Sequence, residues 1–303
     1  MTGRLAPSKQ GQGAPALSEP LLRDSKGSAF GGVQGRSPWP YVLLATLALL
    51  LALPHVALAG AWPQPAGHGQ LINSFSYYEV NVNGYDGLGK PSGRGTYTQF
   101  ELAPYFEYGL TDRWTIGGQP RVQEVTQTGL PFTGHSFGLV QFNIFARYTL
   151  YHDDYNAVAV QGQAGIPGLA TARDPNLAEP NAEYEARALY GRGLDFSNGW
   201  TGFIDTEAGY RFETNGNANQ IRADFTFGVT PVPKWSVFAQ SFNTFSTSGA
   251  RPGAINYNLY RVEVSAVHTL TPSTSIQFGV WDDVGGHNIS LGDAGIVALW
   301  FQF

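Results

Sequence analysis

Between Glu101 and Glu263, charged side chains return at alternate positions of otherwise apolar stretches. They are Glu101, Glu107, Arg121, Arg147, Glu185, Arg187, Asp205, Glu207, Arg211, Arg222, Asp224, Arg261 and Glu263. Both signs are intermixed along the run. Gathered on one face, such side chains can line an aqueous path and set up a transverse field that filters charged or dipolar solutes. They can equally pair with one another and zip that space shut. The sequence leaves both outcomes open. In the simplest register around Thr111-Asp112, Glu101 lies diagonal to Arg121, and Arg211, Arg222 and Asp224 gather near 213–220.

Hydrolysis is the second chemistry to weigh. A lipid hydrolase needs a Ser nucleophile near a His base that an Asn or carboxylate orients. The histidines after residue 60 are His68, His135, His152, His268 and His287. His152 and His268 fall beside tight turns. His135 and His287 fall in longer connections near Ser136 and Ser290, but neither pair sits in a nucleophile motif. Asp153-Asp154 and Asp282-Asp283 are paired acids without further spaced ligands, the pattern of solvated turn residues rather than a Ca²⁺ loop. The expectation is a protein that is not an enzyme, with no metal and no cofactor. With a net charge of −5 and no basic patch, the chain is not expected to bind nucleic acid. It has no Cys, so disulfides and Cys-ligated metals are excluded.

The elements that must position the charged row are strands. No stretch after Trp62 follows a 3.6-residue period, whereas period-two alternation recurs roughly every 15 to 25 residues. Before Leu110-Thr111-Asp112-Arg113, Phe100, Leu102, Phe106 and Tyr108 share one face while Gln99, Glu101, Tyr105 and Glu107 share the other. After it, Trp114, Ile116, Pro120 and Val122 oppose Thr115, Gln119, Arg121 and Gln123. The dyad continues through 140–150, 204–212, 221–229 and 260–265. Weaker segments at 69–81, 156–166, 182–190, 234–246 and 274–283 and a closing strand bring the count to about twelve.

Connections at 111–113, 152–155, 191–199, 230–233 and 270–273 are mostly tight. Those at 82–95, 128–136, 167–182, 213–220, 247–255 and 284–290 are longer and rich in Gly, Asn and Pro. Short turns alternating with long loops suit a transmembrane barrel with both chain ends on the periplasmic side. The 167–182 loop could fold inward as a constriction or stay an exposed loop. A barrel of this size lies between small filled barrels and wide porins, so size alone does not say whether the interior is open.

A soluble β-sandwich or lipocalin-like barrel alternates in the same way with its apolar face inward. Three features favour the membrane. The chain ends on Trp300-Phe301-Gln302-Phe303, which resembles the closing strand and assembly signal of bacterial outer-membrane barrels. Phe303 is the residue the barrel assembly machinery would read.

An apolar run from Tyr41 to Leu53 follows Arg36 and precedes Pro54 and Ala57-Leu58-Ala59, the small-x-small pattern of a signal peptide cut after Ala59. This run is too short for a membrane-spanning helix. Trp114, Trp200 and Trp235 each follow a tight turn at the start of a strand, as an aromatic girdle against outer-membrane lipids requires. Tyr210, Phe212, Tyr257 and Tyr260 are candidates for the opposite girdle. Mean hydropathy is only −0.16, yet 14% of residues are aromatic and 38 are Gly, the mix that half-apolar strands and Gly-rich turns produce.

The expected organisation is a leader over 1–40 with too little apolar content to fold, a signal-peptide core and cleavage site over 41–59, and a barrel over 60–303. Met1 is the only Met. Val33 offers an alternative start if its codon is GTG, in which case 1–32 is not translated. The expected fold class is all-β: a single antiparallel up-and-down transmembrane β-barrel.

Three phrases carry a family resemblance: Ala61-Trp62-Pro63 through Gly67-His68-Gly69-Gln70, Glu107-Tyr108-Gly109-Leu110-Thr111-Asp112-Arg113, and Thr230-Pro231-Val232-Pro233-Lys234-Trp235. With them, most of the chain after residue 60 resembles the outer-membrane β-barrel family called MetA-pathway of phenol degradation. The resemblance implies an outer-membrane channel or transporter, sometimes linked to uptake of aromatic or poorly soluble compounds. It brings no catalytic residues. A structurally filled barrel with an adhesive or structural role is the alternative.

Overall fold

Period-two alternation becomes a sheet whose ends meet. The computed structural model describes residues 60–85, 91–129, 133–168, 177, 181–247, 250–251 and 256–303. The expected leader and signal peptide, and most of the 167–182 loop, lie outside the described residues.

Twelve strands run in chain order: β1 (Gly69–Tyr85), β2 (Pro91–Gly109), β3 (Trp114–Thr128), β4 (Gly134–His152), β5 (Asn156–Pro167), β6 (Glu183–Asp195), β7 (Thr201–Glu213), β8 (Gln220–Val232), β9 (Trp235–Ser246), β10 (Asn258–Thr271), β11 (Thr274–His287) and β12 (Asp293–Gln302). Each pairs antiparallel with its sequence neighbours, and β12 pairs with β1 to close the barrel. The seam runs in register from Gln70 opposite Gln302 to Glu79 opposite Asp293.

The distribution of side chains decides between a soluble and a membrane barrel. Among the largest fully buried side chains are Arg147, Gln70 and Glu107, at 1%, 1% and 0% exposure, while Phe100, Val264 and Val280 stand on the outside at 57%, 55% and 64%. A water-soluble sandwich or lipocalin would reverse this, because charge is costly to bury and apolar surface costly to hydrate. The outside is built for hydrocarbon and the inside for polar groups. Closure also leaves no unpaired strand edge, and a sheet with such an edge does not survive in lipid.

One end of the barrel carries tight turns. Leu110 N–H donates to Trp114 O at 2.8 Å, and the Thr111 hydroxyl accepts from Trp114 N–H at 3.0 Å. Lys234 takes a left-handed φ of 70° in the two-residue connection between β8 and β9. Asp153 organises the turn before β5, accepting from Tyr155 and Asn156 N–H at 2.8 and 2.6 Å and from the Tyr151 hydroxyl at 2.5 Å. Those donors hold its carboxyl down at about 2.

At the opposite end the strands run past the apolar span. The connections expected at 82–95, 128–136 and 284–290 are shorter than their sequences suggest, since β1 reaches Tyr85, β2 begins at Pro91, β4 begins at Gly134 and β11 reaches His287; at the tight-turn end the 191–199 connection shortens too, because β6 reaches Asp195. Hydrophobic alternation stops where the lipid would stop, but backbone pairing continues through Gly, Thr and Asn. At 19 residues, β2 and β4 are well beyond the roughly 9–11 that a tilted strand needs to cross.

Candidate functional site

The inward faces create an interior cavity of about 840 Å³. Glu101, Arg121, Arg147, Arg187, Asp205, Glu207, Arg211, Arg222, Asp224, Arg261 and Glu263 line it. Glu107 and Glu185 point the same way but lie behind their partners, Glu107 under Arg147 and Glu185 between Arg187 and Arg211.

The charges are mostly committed to one another. Arg121 contacts Glu101 at 2.8 Å, the diagonal pair expected from the 110–113 turn, and Gln123 donates to the same carboxylate. Arg187 gathers Glu185, Glu207 at 2.6 Å and Asp224 at 2.7 Å. Arg211 contacts Glu185 at 2.7 Å and Glu183 at 3.1 Å. Arg261 pairs with Asp283 at 2.8 Å and lies 3.4 Å over the Trp281 ring, a cation–π contact. Arg222 belongs to none of these pairs, and its Nε has no hydrogen-bond partner. Each pair replaces water lost on burial. Removing one member would strand the other.

Next to this network, beginning at Phe203 on β7 itself, the interior turns apolar. Phe203, Phe238, Val267, Ala298 and Trp300 form one buried cluster, against which Ile72 and Trp62 pack. Trp300 Nε1–H donates to Gln277 at 3.0 Å, satisfying the indole. Tyr105 and Phe145 stack with centroids 5.7 Å apart.

Chain preceding β1 fills the tight-turn end. From a turn at Pro65–Gly69, residues Gln64 back to Gly60 run into the barrel. Gln64 donates from its backbone to Thr115 Oγ1 at 3.1 Å and from its side chain to Glu107 at 2.5 Å. The Trp62 carbonyl accepts from Arg147 at 3.2 Å, and Ala61 N–H donates to Asp205 at 2.9 Å. The Trp62 ring occupies the space where a side chain at Gly191 would stand, so this inward position must be Gly. Ala61, Ala157, Ala159 and Leu189 complete its pocket. Gly60, Asp205, Phe203 and Trp300 line the adjoining cavity.

Trp114, Trp200 and Trp235 lie on the outer face at the tight-turn end, each about half exposed; Tyr210 and Phe212 lie on the outer face at the other end. Tyr260 also faces outward and packs on Phe245, with centroids 5.5 Å apart. Tyr257 corrects the girdle expectation. It lines the cavity with Leu259 and Arg261, because it shares their odd-numbered parity rather than that of Tyr260.

The Asp282-Asp283 reading as turn residues is likewise corrected. β11 continues to His287, so Asp283 faces inward to Arg261 and accepts from the Tyr78 hydroxyl at 3.1 Å. Glu183, Trp281 and Gln70 are inward residues that sequence reasoning passed over, although their parity with Glu185, Asp283 and Ile72 marks them.

The candidate hydrolytic pair at 135–136 is split. His135 pairs with Glu124 at 2.8 Å on the outer face, whereas Ser136 is buried inside, as successive strand residues must be.

Twelve closed antiparallel strands, apolar outside and charged within, define an outer-membrane β-barrel of porin-like architecture. A scan against protein-family models and a search of curated proteins found no match. Among solved structures, the chain is similar to the COG4313 outer membrane channel from Pseudomonas putida F1, with a TM-score of 0.62 and 14% identity over 82% of this chain and 100% of that one. The translocator domain of the autotransporter NalP from Neisseria meningitidis aligns with a TM-score of 0.45 and 10% identity, over 90% of this chain and 100% of that domain. At 14% identity the likeness to the channel is one of fold alone.

Proposed function

We propose that this protein is a passive outer-membrane channel for small solutes, exported on a leader cut after Ala59 and related to the MetA-pathway of phenol degradation family. The observation that carries the reading is the charge-lined cavity of about 840 Å³ inside a closed barrel. Its walls combine guanidinium groups with aromatic rings: Arg121, Arg187, Arg211 and Arg222 share the lining with Phe145, Phe203, Phe238 and Tyr257. That lining suits a small aromatic solute bearing an anionic group, the ring meeting rings and the anion meeting the uncommitted Arg222. Tight turns and Phe303 belong on the periplasmic side in this reading, outer-membrane lipids surround the aromatic girdles, and the barrel assembly machinery inserts the chain.

A second reading has its own support. The ion pairs around Arg187 and the segment Gly60–Gln64 occupy part of the lumen, as the filling of a purely structural barrel would. Conductance of the purified protein in planar bilayers separates the two. The channel reading expects discrete conductance steps and an anion preference that falls in Arg222→Ala. Absence of any conductance would remove the simple channel and leave the filled barrel.

A further inference from the structure

Asp205 is buried, and none of the ion pairs among the described residues includes it. The neighbouring cations are already engaged, Arg147 by Glu107 and Arg187 by Glu185, Glu207 and Asp224. Among the described residues, its carboxylate has one hydrogen bond, from Ala61 N–H at 2.9 Å. A buried carboxyl held by a single neutral donor is costly to keep ionised unless a positive charge offsets it. The residue against it is Gly60, where even a methyl group would run into both carboxylate oxygens.

We infer that Asp205 is the binding site for the chain's own α-ammonium group, created at Gly60 by export processing, and that this pair locks Gly60–Gln64 into the barrel. Hydrolysis of the Ala59–Gly60 peptide bond by leader peptidase consumes one water. Ala59 leaves with the new carboxylate, and the amine on Gly60 takes up a proton, as α-amines with ordinary values near 8 do at neutral pH. That cation arises one residue before the N–H that already holds Asp205. The uncut precursor has a neutral amide at the same nitrogen and so lacks the lock. Seating of the segment thereby becomes a consequence of maturation. The inference rests on the proposed cleavage site and not on conductance.

The test uses amines. In a chain beginning at Gly60 the only ones are the α-amine, Lys90 and Lys234, and Lys234 is exposed in a turn. Protein purified from outer membranes is reductively dimethylated over a time course and read by mass spectrometry, with folding followed by heat-modifiable electrophoretic migration. The expected result is an α-amine on Gly60 that reacts at least about tenfold more slowly than Lys234, as a group released only by local opening should. Asp205→Asn should remove that protection while the barrel stays folded. Gly60→Ala, which leaves the barrel wall intact, should remove it too. An N-terminus other than Gly60 would overturn the cleavage site and the inference together. A Gly60 amine as reactive as Lys234 in the wild type, or one equally protected in folded Asp205→Asn, would overturn the inference alone.

Discussion

The charged wall on β6, β7 and β8 and the apolar wall on β9 and β12, which Phe203 at the start of β7 joins, share one interior with opposite chemistry. The first carries Glu185, Arg187, Glu207, Arg211, Arg222 and Asp224, bound into one ion-pair network apart from Arg222. The second carries Phe238, Ala298 and Trp300, packed as a core. Both are inward by the same period-two rule, so alternation sets direction while residue type sets the kind of cohesion. In the charged wall, each group depends on a specific partner. In the apolar wall, cohesion depends on volume and is shared among neighbours.

The largest expected effect comes from breaking the charged wall at its hub. Arg187→Ala leaves Glu207 and Asp224 without their cation and should lower stability by about 3–5 kcal/mol, measured as urea unfolding in detergent or lipid. If the loss is instead small, the network is hydrated and the contrast between the walls collapses. The apolar wall is expected to be more forgiving: Phe238→Leu keeps most of the volume and should cost only about 1 kcal/mol in the same assay.

The smallest effect lies outside both walls. Asp153 sits well below its unfolded value, so its contribution to the 153–155 turn is fully present above about pH 4 and fades as pH falls toward 2. Exchange of the Tyr155 and Asn156 amides should therefore gain protection on going from pH 2 to pH 5, after correction for intrinsic rates. Asp153→Asn should abolish that pH dependence, and an unchanged profile would deny Asp153 its role in the turn.

The sequence made one kind of information accessible and withheld another. The charged row, the strand count and the diagonal Arg121–Glu101 pair follow from alternation and one tight turn, because these are local and repeat. Strand ends beyond the lipid were not legible, since Gly, Thr and Asn pair in a ladder without a hydrophobic signal. Tyr257 was assigned by composition when parity with Arg261 was the better guide. The inserted segment was hidden for a deeper reason: Gly60–Gln64 has no periodicity, and its contacts with Thr115, Arg147 and Asp205 are far away in the chain. A Trp flanked by Pro just ahead of the first strand is the only hint it gives.

The seam has a consequence for the order of assembly. Gly69 and Phe303 exchange backbone hydrogen bonds at 2.8 and 3.0 Å, right beside the turn from which the inserted segment departs. Until β12 arrives, β1 has one fixed neighbour, β2, whose Gly109 also holds Gly67 and His68 at the base of that segment, each at 2.9 Å. β12 is the last of the twelve described strands in chain order. Closing the seam therefore adds a second clamp at Gly69 to a segment whose base β2 already holds, so the contact that seals the barrel wall also finishes securing what sits inside it.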